Sequence, residues 1–422
     1  MVDALHTQPR NDWAAPDSQD RGCQIGVGSG WVGVARLTTE RVVTKKIRWM
    51  ARLGTVAVIG VTVASCKSVA PRTISEPAIS QQNSGTAVRL QAIAAVDEDV
   101  AWAAGLQGTY ARTVDGGSTW TSAVVPGADS LQFRDVAAFD SQTAYLLSAG
   151  SGSLSRIYKT IDGGVSWNLQ FVNSEPAAFF DCIGFWDPNN GLAFSDAVGD
   201  EFIIMRTTDG NNWERIPPHV VPDALPGEGG FAASGMCLVT HGDSTAWFGT
   251  GGSYEARVFI TTDRGATWSA VTTPIVSSPS AGIAALTFYD AFNGLAAGGD
   301  IRNPAEFSDN VAVTTDGGLS WTLMGRPTFT GAIYGLASTI AAGTPVLLAV
   351  GPGGLDYSID NGQAWIALDT LDYWSIDVAV PTAGWAVGPE GRITKIGLLP
   401  QVLAESVPKR YLRFIGITGR VP

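Results

Sequence analysis

The chain has 422 residues and a formal net charge of −12, with 45% hydrophobic and 16% charged residues, 50 Gly and 14 Trp. That much apolar material excludes a disordered chain, and the Gly- and Trp-rich balance suits an all-β protein with ample core. From Cys66 onward 19 Lys and Arg stand against 34 Asp and Glu, which argues against nucleic acid and anionic lipid as partners and leaves neutral, cationic or locally steered ones.

Residues 1–49 carry no periodic apolar pattern. Behind them Lys45-Lys46-Ile-Arg48-Trp-Met50-Ala-Arg52 is basic, residues 53–64 are an apolar run, and Val63-Ala64-Ser65-Cys66 follows. This is the charge, apolar core and small-residue order of a secretory signal, and the run is too short to span a bilayer comfortably. Residues 50–65 are therefore expected to be a signal peptide, with residues 1–49 as an extension ahead of a true start at Met50 or an upstream Val. The alternative is a short internal anchor with a chance cysteine. Residues 66–86 read as a linker with a possible closing strand.

Six copies of one phrase then recur, around Asp115, Asp162, Asp209, Asp263, Asp316 and Asp360, each preceded by Thr or Ser and followed by Trp. The aspartates lie 47, 47, 54, 53 and 44 residues apart, a period that fits one four-stranded unit repeated around an axis. The expected fold is an all-β single propeller over residues 87–397. Each box is expected to be a turn staple: Asp accepts backbone N–H bonds, Gly two positions on supplies positive φ, and Trp packs between sheets. The third copy, Asp209-Gly-Asn-Asn-Trp213, drops a residue, and an Asn is expected in the left-handed position there.

In the second repeat the strands are expected at residues 134–139, 143–147, 156–161 and 167–171. After the sixth box, residues 374–379, 384–388 and 392–396 read as three strands of a seventh blade that has no box. Its outer strand is expected from residues 77–84, which would close the ring and remove its sheet edges. Six blades is the alternative. The tail, 398–422, carries Lys409, Arg410, Arg413 and Arg420, and either packs on the ring or stays mobile.

Since the boxes join third to fourth strands at one rim, functional loops are expected on the opposite rim, where the repeats differ most. There Asp196, Glu228, Ser234, Tyr254, Arg257 and Asp300 lie in Gly-rich stretches of blades three to five, and are the candidate ligand or partner contacts. Solvated or turn-capping roles are the plain alternative for any one of them. Three positions before the box Asp stand Arg112, Lys159 and Arg206 in blades one to three, but Ile260, Val313 and Tyr357 in blades four to six. That stripe could meet an anionic partner or be ordinary strand-surface charge. Cys182 and Cys237 occupy matching places in successive repeats, and either pair across the blades or lie buried as thiols.

The boxes resemble the Asp-box (BNR) repeats of sialidases, sortilin-type receptors and photosystem II stability/assembly factors. The segments 227–235, 250–258 and 298–300 resemble phrases of a bacterial assembly-factor-like subgroup, and residues 63–66 resemble a bacterial lipobox. The resemblance implies a non-catalytic, lipid-anchored scaffold, attached through Cys66 to the bacterial cell envelope, that binds a protein partner. Lys67 would favour the outer membrane where there are two. The competing reading is a glycan-binding or sialidase-like enzyme using carboxylates of the loop-rich face. Arg215-Ile-Pro217 superficially resembles the sialidase phrase, yet it follows the third box instead of preceding the first. With three His, no Cys/His metal spacing and no phosphate loop, no metal, cofactor or catalytic residue is assigned.

Overall fold

The computed structural model describes residues 75–398 apart from 309. Residues 1–74, which include the expected signal peptide and Cys66, and the tail beyond Leu398 lie outside the described residues. Seven four-stranded antiparallel sheets form the seven blades of a β-propeller. Blade one is Leu90–Ala95, Ala101–Gly105, Thr109–Thr113 and Thr121–Val124 from the axis outward. Blade two is Phe133–Ala138, Ala144–Ser148, Arg156–Thr160 and Asn168–Val172, each strand within a residue or so of its expected place.

The seventh blade closes the ring. Its inner strands are Ser375–Val380, Ala383–Val387 and Arg392–Gly397, and its outer strand is Ala78–Asn83, in register from Ala78 opposite Gly397 to Asn83 opposite Arg392. Closure satisfies the backbone edge that an open ring would expose. Gln82 locks the seam, its Oε1 accepting from Trp120 Nε1 of blade one at 2.9 Å and from Trp385 Nε1 of blade seven at 3.0 Å.

The core lies between successive sheets, not inside one. Trp102, Tyr110 and Phe133 bury together between blades one and two, and Trp247, Ile283 and Trp321 between blades four and five. Each box seats its Trp by the expected staple. Asp115 Oδ1 accepts from Thr119 N–H at 2.8 Å and Thr113 Oγ1 at 2.9 Å, while Gly117 N–H reaches Thr113 Oγ1 at 2.8 Å. The same bonds recur at Asp162, Asp263, Asp316 and Asp360. Both residues after the Asp are left-handed, including Arg264 (φ 58°) and Asn361 (φ 60°) where glycine is missing. The third box departs from expectation: only Gly210 (φ 67°) is left-handed. Asp209 Oδ1 instead takes N–H bonds from both Asn211 and Asn212 at 2.8 Å, so the shorter turn closes without a left-handed Asn.

Two cations of the basic stripe, Arg112 and Lys159, face inward between blades. Arg112 Nη1 donates to Ser141 O at 2.6 Å, and Lys159 Nζ donates to Gly210 O at 2.9 Å and sits 5.2 Å from the Tyr145 ring centre. Tyr110 OH to Gly164 O, Trp247 Nε1 to Gly317 O and Lys395 Nζ to Gly116 O make the same kind of link. Donors of one blade thus cap orphan carbonyls of the next blade's turns. Arg206, beside Asp209, Asn212 and Glu214, is half-buried. The stripe is therefore not a row of three free cations.

Candidate functional site at the channel mouth

The connection leading into blade four determines what the loop-rich face looks like. Glu228 is fully buried in its side chain and pairs with Arg257, which is 12% exposed. Arg257 Nε donates to Glu228 Oε1 at 2.9 Å and its Nη2 to Oε2. Thr250 Oγ1 adds a bond to Oε1 at 2.6 Å, and Leu225 N–H one to Oε2 at 2.8 Å. Every acceptor position of the carboxylate is filled from within, and Arg257 also reaches Asp223 O at 2.9 Å. This pair pins the loop to the second–third strand connection of blade four. The glycines of that connection serve the same packing: a Cβ on Gly251 would lie 2.4 Å from Gly282 Cα.

From this pin the segment 229–236 runs across the mouth of the central channel and touches five blades. Gly230 N–H reaches Asp196 Oδ1 of blade three at 2.8 Å, and Arg134 Nη1 of blade two reaches Ala232 O at 3.0 Å. Ser234 Oγ donates to Tyr334 O of blade six, while Ser375 Oγ of blade seven donates to Ser234 O at 3.1 Å. Leu286 N–H of blade five donates to Met236 O at 2.9 Å. Gly235 (φ 77°) passes so close to Asp135 that a Cβ would fall 2.3 Å from its Oδ1. Immediately after the segment, Cys237 is disulfide-bonded to Cys182 of blade three, with Cα atoms 5.9 Å apart and both residues buried.

Around this crossing segment, the inner strands share a device that the sequence does not announce. The inner strands of blades one, two, three and five each carry a β-bulge near their start, at Gln91, Arg134, Asp181 and Ala284. A bulge re-aims its residue out of the alternating pattern. In blades one to three that residue is polar and holds buried atoms with no partner among the described residues: both amide atoms of Gln91, Nε of Arg134 and Oδ2 of Asp181. Arg89, just ahead of the first bulge, also has an unpartnered Nε, and its guanidinium carbon lies 4.2 Å from the Trp374 ring centre. Trp374 in turn stands 5.1 Å from Tyr334.

The electrostatics of this cluster follow from crowding. Burial, then the charge of neighbouring Arg89, hold the Arg134 guanidinium below its usual range, while Asp181 opposes the shift. Burial lowers Arg89 as well, against Asp372 and Tyr334. Asp181 is pushed well up by burial and then by Asp196, and burial pushes Asp196 up to about 6. The Asp196 charge is among the causes of the Asp181 shift, so ionising one of these carboxyls disfavours ionising the other.

The sequence-predicted residues therefore divide. Asp196 and Glu228 line one cavity of about 260 Å³ with Gly227, Gly229, Phe231, Gly252 and Pro279. Glu228, Arg257 and Ser234 hold the loop rather than offering free polar atoms. Asp300 accepts from Ser280 Oγ at 2.8 Å and from Arg302 N–H at 2.9 Å, the turn-capping alternative. Tyr254 is 69% exposed. Arg89, Gln91, Arg134, Asp181, Tyr334 and Trp374 were not anticipated. Their only signal is a polar residue wedged inside an apolar inner strand, as in Phe133-Arg134-Asp135-Val136 and Phe180-Asp181-Cys182-Ile183. Among the described residues no group of three or more His, Cys, Asp or Glu is placed to hold a metal ion.

No protein-family model matches the chain, and neither does any curated protein. Solved structures do. A structure described as YCF48 bound to D1 peptide is similar at TM-score 0.54 and 18% identity, covering 78% of this chain and 99% of that one. YCF48 from Cyanidioschyzon merolae is similar at TM-score 0.53 and 16% identity, covering 76% and 99%. The Pan2 WD40 domain of Neurospora crassa is similar at TM-score 0.52 and 12% identity, covering 74% and 89%. At these identities the likeness is one of fold, the seven-bladed propeller.

Proposed function

We propose that the chain is a non-catalytic, envelope-anchored propeller that binds a protein partner at the channel mouth, by gripping a carboxylate-bearing peptide segment between Arg89 and Arg134 against Tyr334 and Trp374. The observation that carries this reading is the pair of neighbouring guanidiniums whose Nε groups are buried without a partner. Such donors cost free energy until an acceptor arrives, and a carboxylate matches their fork geometry. The propeller likeness to a protein solved with a bound peptide supports the class of partner. The lipobox-like Cys66 supports attachment by a lipid anchor.

The glycan-hydrolysing alternative would look to Asp181 and Asp196 as its carboxyl pair. Asp181 is 1% exposed, and a carboxyl so withdrawn from solvent does not flank a glycosidic bond as the pair of a canonical glycosidase does, so its burial favours a binding role. The test is affinity capture from solubilised envelope, alongside binding of peptide libraries with free or amidated C-termini. Wild type should retain a protein partner, and the double variant Arg89→Gln, Arg134→Gln should lose at least about tenfold in affinity at unchanged melting temperature. Equal retention by both sinks the reading, and retention of glycan instead of protein transfers it to carbohydrate.

A further inference from the structure

The segment that crosses the channel mouth is clamped at both ends and loose between them. Before it stand the Glu228–Arg257 pair and the bridge of Gly229 to Gly251, and after it the disulfide of Cys237 and the inner strand Leu238–His241. Residues 230–236, between these clamps, belong to no strand, so they can lift without breaking a sheet ladder.

Three carboxyls form the seat beneath it, and each is met at a glycine. A Cβ on Gly229 would collide with Asp196 Oδ1, one on Gly230 would lie 2.8 Å from Asp181 Oδ2, and one on Gly235 would collide with Asp135 Oδ1. Asp135 and Asp181 are 5% and 1% exposed. Little offsets a negative charge there. Gly230 N–H donates to Asp196, and Ile183 N–H of blade three donates to Asp135 at 2.6 Å. From blade two Arg134 faces Asp181, but burial and Arg89 of blade one already disfavour its charged form. Among the described residues the other blades bring no further cation to the seat. Arg257 of blade four is bound to Glu228, and blades five, six and seven meet the segment through Leu286 N–H, Tyr334 O and Ser375 Oγ.

We propose that residues 230–236 are a pH-sensitive lid over the channel, seated while Asp135, Asp181 and Asp196 are protonated and lifted as they ionise. The link between proton and lid is one of differential proton affinity. Burial holds Asp135 well above the ordinary value of 3.8, burial and then Asp196 do the same to Asp181, and burial brings Asp196 to about 6. A lifted lid returns these groups to water and toward 3.8. The seated state therefore binds protons more tightly, and its advantage, complete below 3.8, is lost as pH climbs through 6 and beyond. Lifting also uncovers Asp181 Oδ2 and releases Arg134 Nη1 from Ala232 O. The lid acts in this way whatever the mouth binds.

Hydrogen–deuterium exchange of the full chain at about pH 4.5 and about pH 7.5, with each rate taken relative to an unstructured amide at the same pH, tests this. Protection of 230–236 should fall at least about tenfold between the two. The box turn 113–119 is the control, since the Thr119 hydroxyl holds Asp115 below 3.8 and keeps it ionised at both. The full-length variant Asp135→Asn, Asp181→Asn, Asp196→Asn keeps the shape of the seat and should remove the fall. If that variant does not fold, Asp196→Asn alone should shrink the fall, while Asp377→Asn should leave it. Burial raises Asp377 to about 6 as well, but its carboxylate meets Ala95 N–H of blade one and not the lid. Equal protection at both pH values in the wild type overturns the proposal. So does a fall shared by 113–119, which would be a loss of global stability, or one that Asp196→Asn leaves whole or Asp377→Asn removes.

Discussion

At the scale of single residues, the box turns owe their shape to backbone that only some side chains tolerate. Gly164 has φ 87°, and a Cβ there would lie 2.7 Å from the Tyr110 ring, whose hydroxyl donates to Gly164 O. Gly164→Ala therefore combines left-handed strain with overpacking of an inter-blade bond, and should lower the unfolding free energy by about 2–3 kcal/mol. Gly127→Ala, at φ 75° but with nothing within 4 Å of its Cβ, should cost only the strain, about 1 kcal/mol. Urea unfolding of the two variants measures the difference. Carboxyl groups make stability depend on pH from both sides. Thr119, Ser166 and Ser320 hydroxyls hold Asp115, Asp162 and Asp316 below the ordinary value of 3.8, so their contribution is present above that value and fades as pH falls through the lowered one. Burial raises Asp196 and Asp377 to about 6, so folding favours their protonated forms and stability is lost as pH climbs from 3.8 through 6. The melting temperature should peak between about pH 4 and 5. Asp196→Asn should shrink the decline above the peak and leave the part due to Asp377 and the other buried carboxyls, Asp135 and Asp181, as thermal scans across pH 3–8 can show.

At the scale of elements, the loop of residues 217–235 is held by one buried ion pair. Glu228→Ala leaves Arg257 only 12% exposed and without its carboxylate, a change expected to cost about 3–5 kcal/mol. The double variant Glu228→Ala, Arg257→Ala should be less damaged than the sum of the single ones, and a double-mutant cycle in urea checks this. Additive losses would mean that the pair does not act as a unit. The strands and boxes were legible because period, Asp, Gly and Trp are local signals, each decided within a dozen residues. The Glu228–Arg257 pair was not, since both side chains look like free polar groups until the fold brings positions 29 apart together. The bulges at Gln91, Arg134 and Asp181 were hidden for another reason. Slipping the alternation by one residue inside a short apolar strand changes no composition, only the direction in which a side chain points. The basic stripe was read as surface because its position in the strand was clear while its neighbour, the next blade's turn, was not.

For the whole molecule, rigidity depends on links between blades, and one of them is covalent. The Cys182–Cys237 bridge joins blades three and four across 55 residues, beside the segment that crosses the channel. By loop-closure entropy such a cross-link contributes about 4 kcal/mol. Cys237→Ser should lower the unfolding free energy by about 2–4 kcal/mol and raise hydrogen exchange across 229–236. Unchanged values in oxidised and reduced protein would show that the bridge does not form in solution.

The seam in blade seven has a consequence in time as well as in space. Ala78–Asn83 is the first strand among the described residues, and its partner, Arg392–Gly397, comes more than three hundred residues later. Throughout synthesis the early strand waits with an unpaired edge, and Gln82 waits for the indoles of Trp120 and Trp385. The six internal blades can assemble as they emerge, but the circle cannot be stitched until Arg392–Gly397 is free. A chain halted before residue 392 is thus an open arc with two sticky ends. Closure of the ring therefore waits on the synthesis of blade seven's third strand.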